Sequence, residues 1–439
     1  MNSHSRTAES IFLAGVRGVL PSRLIGDLFS AKASRLKIGY QDYNMDKFRN
    51  IYVIGAGKAS ASMGHYVESV LGRRITGGHI ITKYGSYCKL KNIEVTEAGH
   101  PVPDQNSFRA TEEVLRIADK ASADDLVICL FSGGGSSLLA DYPENSSPEE
   151  MFRLNELLVN CGADINKINI VRKHLSKVKG GHMAKRIRPA SFVTILLSDV
   201  PGDRADSIAS GPTVPDNSTF ADALKVIEDY HLRDQMPHGL LNYLNEGIHG
   251  IGEETPKSGD PVFDGSRIFF AGTNKIALQA SKAEAEKLGF QTFILTDQLF
   301  GDPEGACGWF REMIYKYKND NSLQKPVCLL FGGELTIRVT GKGAGGRNQH
   351  LALTAAMRLS GIPGIIFLSA GTDGNDGNTD MAGAVIDTDT MHDALSRNID
   401  PEKYLRNFDS YNFFKSAGGH IYTGPTFTNV MDIVVILIE

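Results

Sequence analysis

Cysteine is scarce. The 439 residues hold five, Cys88, Cys129, Cys161, Cys307 and Cys328, an odd number with no C-x-x-C pair. That argues against a disulfide framework and a zinc site, and suits a reducing compartment. Cys129 and Cys328 lie inside apolar runs and read as core. Long apolar runs are also missing. Ile11 to Val16 is the apolar patch nearest the amino terminus, and Glu9 and Arg17 bracket it. It is too short for a leader core or a membrane span, so no membrane partner and a cytoplasmic location are expected. Positive charge is not in excess either: a formal net charge of −5 gives no reason to expect a nucleic-acid partner. Two catalytic signatures are absent. G-x-x-x-x-G-K-[ST] occurs nowhere, so there is no Walker loop, and without G-x-S-x-G a hydrolase elbow has no support.

What is present is a globular composition, 41% hydrophobic and 22% charged, on a chain too long for one ordinary core. Residues 6–30 read as one or two amphipathic helices broken at Pro21. Apolar strands then alternate with helices: 51–54, 79–82, 93–96, 126–131 and 192–197, with helices at 104–121 (Asp104 as cap), 148–160 and 165–186. This alternation predicts an α/β protein with a largely parallel sheet covered on both faces. Residues 247–266 read as a linker. A second half is expected to restart with strand 268–271, followed by helix 274–288 and strands 292–295, 327–331, 365–368 and 430–438. The division is therefore 1–257 and 258–439, the second domain being the smaller.

Glycine and acidic clusters sit where the strands end, the edge at which open α/β sheets bind ligands. Gly341 to Gln349, Gly-Lys-Gly-Ala-Gly-Gly-Arg-Asn-Gln, follows an alternating run (334–339) and leads into a helix. Its glycines permit φ > 0 and close backbone approach, and its N–H groups and helix dipole favour an anion. Lys342 and Arg347 add charge; a solvated turn is the competing reading. Gly55-x-Gly57-x-x-Ser60 falls short of the dinucleotide fingerprint, since Ser60 replaces its third glycine and Lys83 stands where a ribose-binding acid belongs. Lys58, at a helix start, makes sense against the dipole if an anion lies between them. Ser132 to Ser137 offers a nest of N–H donors for a phosphate or carboxylate, or else permits close helix–strand packing. Asp199 and Asp203 flank one turn, and Asp373, Asp376 and Asp380 share another. Such carboxylates suit Mg²⁺, which takes one or two protein oxygens plus phosphates and water; exposed turn residues are the alternative. Gly377 and Ala384 break the spacing of a calcium loop. Arg172 and Lys179, about two turns apart on the expected helix, are candidates for a substrate carboxylate. His100 reads as structural.

Together these motifs are no longer anonymous. Gly-Ala-Gly-Lys-Ala at 55–59, Gly-His-Pro-Val-Pro-Asp at 99–104 and Ser-Gly-Gly-Gly-Ser-Ser at 132–137 are followed by Val-Arg-Lys-His-Leu-Ser at 171–176. Ser-Asp-Val-Pro-Gly-Asp at 198–203, Ser-Gly-Pro-Thr at 210–213 and Gly-Gly-Glu at 332–334 come next. Gly-Gly-Arg-Asn-Gln at 345–349 and Ala-Gly-Thr-Asp-Gly at 370–374 complete the series. In this order they resemble the glycerate 2-kinase family with a carboxy-terminal MOFRL domain. The resemblance implies ATP-dependent, Mg²⁺-assisted phosphorylation of D-glycerate to 2-phosphoglycerate. It also implies a Rossmann-like amino-terminal domain, a smaller α/β domain, and an active site in the cleft between them. The family's lysine falls on Lys58 and its arginine on Arg347. On this reading Lys58, Arg347 and Asp199 are catalytic. Gly57, Ser132, Gly133, Gly134, Gly135, Ser136, Glu334, Gly341, Gly343, Gly345, Gly346 and Asn348 bind ATP. Arg172 and Lys179 bind the acid, and Asp199, Asp203, Asp373 and Asp376 the metal. A nicotinamide-dependent hydroxypyruvate reductase and a non-enzymatic sensor of phosphorylated sugar acids are the alternatives. The oligomeric state stays open, a homodimer being one expectation.

Overall fold

Runs of consecutive apolar residues, without polar alternation, are what strands require when helices cover both faces of a sheet. Asn50–Ala56, Gly77–Lys83, Asp125–Ser132 and Ser191–Leu197 are such strands in the computed structural model, and their interiors are buried. The structure describes residues 3–200 and 202–439, so Pro201 of the 198–203 motif lies outside it. The first sheet runs Glu94–Ala98, Gly77–Lys83, Asn50–Ala56, Asp125–Ser132, Ser191–Leu197, Arg267–Gly272. Its first four pairings are parallel, with Val53 opposite both Gly78 and Ile128. The chain leaves Asn50–Ala56 to build one side, then returns to build the other. The topological switch point therefore lies between Asn50–Ala56 and Asp125–Ser132, the position where such sheets take ligands.

Helix Gln105–Lys120 starts at Asp104, whose side chain accepts the Ser107 N–H in a reciprocal box, as expected. The long helix expected over 165–186 is two: Ile165–His174 and His182–Ile187. Gly180 and Gly181 take φ of 58° and 89° and give their N–H groups to the Ser210 and Gly211 carbonyls. The strand near 268–271 does not open the second half; Arg267–Gly272 forms an edge of the first sheet. Residues 247–266 accordingly belong to the same unit as the strands before them. A small antiparallel sheet, Phe29–Lys32, Arg35–Ile38 and Gln41–Asn44, completes this first unit.

The second sheet runs Gln291–Leu299, Val327–Gly333, Asp432–Ile438, Ile365–Gly371, Gly383–Asp387, His420–Ile421. Only its first pair is parallel. Asp432–Ile438, apolar beyond its first residue and buried throughout, sits in the middle. The alternating run 334–339 is not a strand: Gly333 pairs with Asp432, where the central strand begins, so later residues have no ladder partner there.

The two compact units do not follow a single cut. One holds Ile25–Ser198 and Arg204–Ala271; the other holds the residues through Leu24, Asp199–Asp203 and Gly272–Glu439. Helix Ser3–Gly18 joins the second unit because its glycines admit helix Asn274–Lys287: a Cβ at Gly15 or Gly18 would stand 2.4 Å from Ser281 Oγ or Ala280 Cβ. Ser281 Oγ donates to the Ile11 carbonyl across this contact at 3.0 Å. No helix among the described residues is long and apolar enough to cross a membrane.

Candidate functional site

In the first unit the loops after Ala56 and Ser132 meet at the switch point. They touch because Gly55 and Gly57 carry no side chain. A Cβ there would stand 2.3 Å from the Leu130 carbonyl oxygen and 2.1 Å from Ser132 Oγ. Ser132 Oγ instead accepts the Ala59 N–H at 3.0 Å and meets Ser60 Oγ at 3.1 Å. The Gly133 carbonyl accepts the Lys58 N–H at 2.8 Å. The Ser132 hydroxyl and the Gly133 carbonyl therefore join loop to loop, which removes the Ser132 side chain from the expected phosphate ligands. Gly134, Gly135 and Ser136 behave differently: among the described residues their N–H groups meet no protein acceptor. The Lys58 stem and the His100 ring lie against Gly134, 3.3 and 2.8 Å from where its Cβ would stand. Burial first, then Lys58 and Lys83, lower the His100 pKa to about 4, so this imidazole is neutral at pH 7. The sequence reading set His100 aside as structural, and the fold brings it to the open N–H groups.

Beside this loop, Ser136 Oγ meets Ser210 Oγ at 2.7 Å, and Ser210 Oγ donates to Asn169 Oδ1 at 3.2 Å. Ala209, Ser210 and Gly211 are consecutive left-handed residues, φ 52°, 58° and 65°. For the two that are not glycine this costs about 1–2 kcal/mol each, the kind of strain that gathers at ligand sites. The signal was present in Ser-Gly-Pro-Thr, but the sequence assigned that motif no role.

Ser136 also lines a cavity of about 320 Å³ with Arg172, Asn155, Asp141 and Lys179. Arg172 Nε donates to Asn155 Oδ1 at 2.9 Å, and burial lowers its pKa. No carboxylate among the described residues pairs with it. Lys179 differs. Its buried ammonium donates to the Leu139 carbonyl at 2.7 Å and lies 3.5 Å from Asp141 Oδ1. Its ammonium is thus already engaged inside the protein, at the wall of the same cavity.

In the second unit the 341–346 loop is not an open nest. Its Gly343 N–H goes to the Asn407 carbonyl at 3.0 Å. The Lys342, Ala344 and Gly345 N–H groups go to the side chains of Asn407, Asp409 and Asn378 at 3.3, 2.9 and 3.1 Å. A Cβ at Gly341 would stand 2.2 Å from the Asn407 carbonyl oxygen, and one at Gly343 2.4 Å from Asp409 Cβ. Gly345, at φ 148°, abuts Ser410, and Gly346 abuts Asp376. The absent side chains at Gly341, Gly343, Gly345 and Gly346 thus admit neighbouring protein. Helix Arg347–Arg358 follows, started by Asp376, whose two oxygens accept the Asn348 and Gln349 N–H groups at 3.0 and 2.8 Å. The Asn348 and Gln349 side-chain amides add two longer bonds. Asp376 thus caps this helix through both carboxylate oxygens. Burial raises its pKa to about 6 against the pull of those N–H donors. Asn348 is buried and accepts from Ser369 Oγ at 2.6 Å.

Arg347 is held from two sides. Asp432 takes Nε and Nη2 at 2.6 and 3.0 Å, and Glu334 takes Nη1 at 2.8 Å. Burial works against its charge, but Asp432 and Glu334 hold the pKa above the usual arginine value. Glu334, expected at the nucleotide, here orients the arginine. Asp432 escaped the sequence reading, although a carboxylate heading an apolar strand was a signal. A Cβ at Gly371 would stand 3.3 Å from carboxylate oxygens of both Asp373 and Asp432, so Asp373 faces the same corner. Asp199 Oδ2 accepts from Asn429 Nδ2 at 2.9 Å, and Asp203 takes φ 51° in the turn closed by its N–H on the Val200 carbonyl. Among the described residues no group of three or more side chains forms a metal cage. Mg²⁺ does not require one when phosphates complete its shell.

A family model described as Domain of unknown function (DUF4147) matches residues 7–245, and a second, described as MOFRL family, matches residues 327–432. A Thermotoga maritima protein named D-glycerate 2-kinase is 43% identical over 90% of this chain and 91% of its own. An Agrobacterium vitis protein, 40% identical over 88% of this chain and 86% of its own, carries a provisional hydroxypyruvate reductase name. The crystal structure of a Thermotoga maritima glycerate kinase superposes with a TM-score of 0.85 at 38% identity, covering 100% of both chains.

Proposed function

Because the chain belongs to the glycerate 2-kinase family, carrying its MOFRL domain, we propose that it transfers the γ-phosphoryl group of ATP to the 2-hydroxyl of D-glycerate, giving 2-phosphoglycerate and ADP. The chain is a kinase; ATP, Mg²⁺ and the 2-phosphate product are the proposal. The observation that carries it is the open set of N–H groups at Gly134, Gly135 and Ser136 beside Lys58 at the switch point. Phosphoryl transfer asks mainly for positioning and for stabilisation of dispersed negative charge. Backbone donors with one cation hold phosphate oxygens without needing to reorganise during the step.

Lys58 and Arg347 are the two cations this reading assigns to the phosphates. Arg347 suits the role because Asp432 and Glu334 fix its plane and leave part of its fork uncommitted. Arg172, charged and without an acid partner, takes an anionic group of one reactant. Mg²⁺, when bound, neutralises charge on phosphate oxygens, and Asp199, Asp203 and Asp373 are the residues that would hold it. Asp199 is also the carboxylate we assign to orienting the acceptor hydroxyl. The test is incubation with ATP and Mg²⁺ over a panel of small hydroxy acids, with products read by phosphorus NMR. A 2-phosphate of glycerate is expected; a 3-phosphate, or no transfer, overturns the assignment.

The reductase reading has one observation in its favour, the name of the Agrobacterium vitis relative. Against it, strand Gly77–Lys83 ends on a lysine at the place where a nicotinamide dinucleotide needs an acid for its ribose. Oxidation of NADH by hydroxypyruvate, followed by absorbance, decides between the two.

A further inference from the structure

The cavity of about 320 Å³ in the first unit has two chemically unlike parts. Its polar lining includes Ser136 and the hydrogen-bonded pair Asn155 and Arg172, the last a guanidinium with no carboxylate partner among the described residues. Val102, Phe152 and Val159 give it apolar wall, beside the polar Asp141, Glu156 and Lys179. Phe152 meets Phe108, another wall residue, edge to face at 5.6 Å. Val102 and Val159 are 64% and 63% exposed, apolar surface that a ligand would cover.

An occupant must bring an anion for Arg172 and a flat or apolar body for the walls. Glycerate brings only the anion, since each of its carbons carries oxygen. Burying its hydroxyls against valine and phenylalanine would forfeit their hydrogen bonds. A nucleotide brings both. The volume also suits the larger reactant, being within the range of about 300–1,000 Å³ usual for pockets that bury drug-sized ligands. We propose that this cavity holds the purine ring of the nucleotide, with its phosphates turned toward Ser136 and Arg172. Arg172, expected from the sequence to grip the acid, becomes a nucleotide ligand. The inference rests on the kinase reading and adds to it the subsite of one reactant.

The experiment fills the cavity. Val159→Trp and, separately, Phe152→Ala are prepared in the full chain, each checked for an unchanged thermal unfolding midpoint. ADP binding is measured by calorimetry without turnover, KM is measured for ATP and for glycerate, and inorganic tripolyphosphate serves as a competitor lacking the base. At least a tenfold rise in the Kd for ADP and the KM for ATP is expected from a folded variant, with the KM for glycerate and the tripolyphosphate Ki within twofold. A rise in the glycerate KM with unchanged ADP binding would assign the cavity to the acceptor and overturn the proposal. Equal losses for ADP and tripolyphosphate, or no change in either folded variant, would overturn it too. ADP binding is read independently of glycerate phosphorylation, so failure of the kinase reading remains distinguishable.

Discussion

Replacing Asp376 by asparagine separates a helix cap from a metal ligand. The carboxylate is 2% exposed and accepts two backbone N–H groups and two side-chain amides at the start of helix Arg347–Arg358. Asparagine keeps one acceptor oxygen and turns an amide NH₂ toward the other pair of donors. At least two bonds to a charged acceptor disappear, at about 1.5–3 kcal/mol each. The neutral side chain regains part of the burial cost that lifts the Asp376 pKa from 3.8 to about 6, roughly 3 kcal/mol at about 1.4 kcal/mol per unit. Loss of the negative charge beside the helix start adds about 0.3–1 kcal/mol of destabilisation. The balance is a destabilisation of about 0.3–4 kcal/mol, read by urea unfolding. Arg347 is the first residue of that helix, and a shift near 1 Å in such a group costs about 10²-fold in rate. So kcat falls while the dependence on Mg²⁺ concentration stays as in the wild type. An unfolding curve that matches the wild type, with activity restored by excess Mg²⁺, would refute the cap and return Asp376 to the metal.

Arg347→Ala is expected to lower kcat on the order of 10³, the scale of arginines that stabilise phosphoryl transfer. It also strands Asp432 without its partner, at about 2–4 kcal/mol. Adding Asp432→Asn recovers most of the stability in denaturant titrations and none of the rate. Lys179→Met lowers the unfolding midpoint but leaves both KM values unchanged in folded protein, because its ammonium already serves Leu139 and Asp141; a raised KM for either reactant would contradict this. His100 gives a pH signature. Its folded pKa of about 4 lies below the ordinary 6.5, so between those values the unfolded chain binds more protons. Stability is therefore lost as pH falls from 6.5 toward 4, by up to about 3 kcal/mol from this group. His182, also lowered to about 4, acts in the same window. His100→Gln should flatten part of that slope in unfolding measured at stepped pH.

The α/β alternation and the strand ends were legible in the sequence because buried parallel strands write themselves as local apolar runs. Lys58 and Arg347 stood out for a related reason: a cation beside a glycine turn at a helix start is a contradiction unless something negative compensates it. What the sequence could not distinguish were its two glycine loops. Both have the same composition, and the difference lies in what packs on them. Residues 407–410, about sixty positions away, fill the 341–346 loop, whereas Gly134 to Ser136 remain open. The internal partners of Lys179 and Asp376 were hidden for the same reason, since Leu139, Asp141 and the start of the Arg347 helix meet them through contacts that no local spacing reveals. The helix expected across 165–186 fails at Gly180 and Gly181, where two positive φ values bring the N–H groups onto the 210–211 turn. Ser210 belongs to a motif the sequence showed, but it received no role because backbone strain has no signature in a single sequence.

The position of Asp432–Ile438 between Val327–Gly333 and Ile365–Gly371 has a consequence during synthesis. Until residue 438 has emerged from the ribosome, the second sheet exists only as two halves with bare inner edges, each an open template for another chain. Helix Ser3–Gly18, made first, must wait through more than half of translation for the helix on which it docks. A nascent chain therefore carries unsatisfied surface at both its oldest and its newest ends, and arrested or truncated products should be the species that aggregate and engage chaperones.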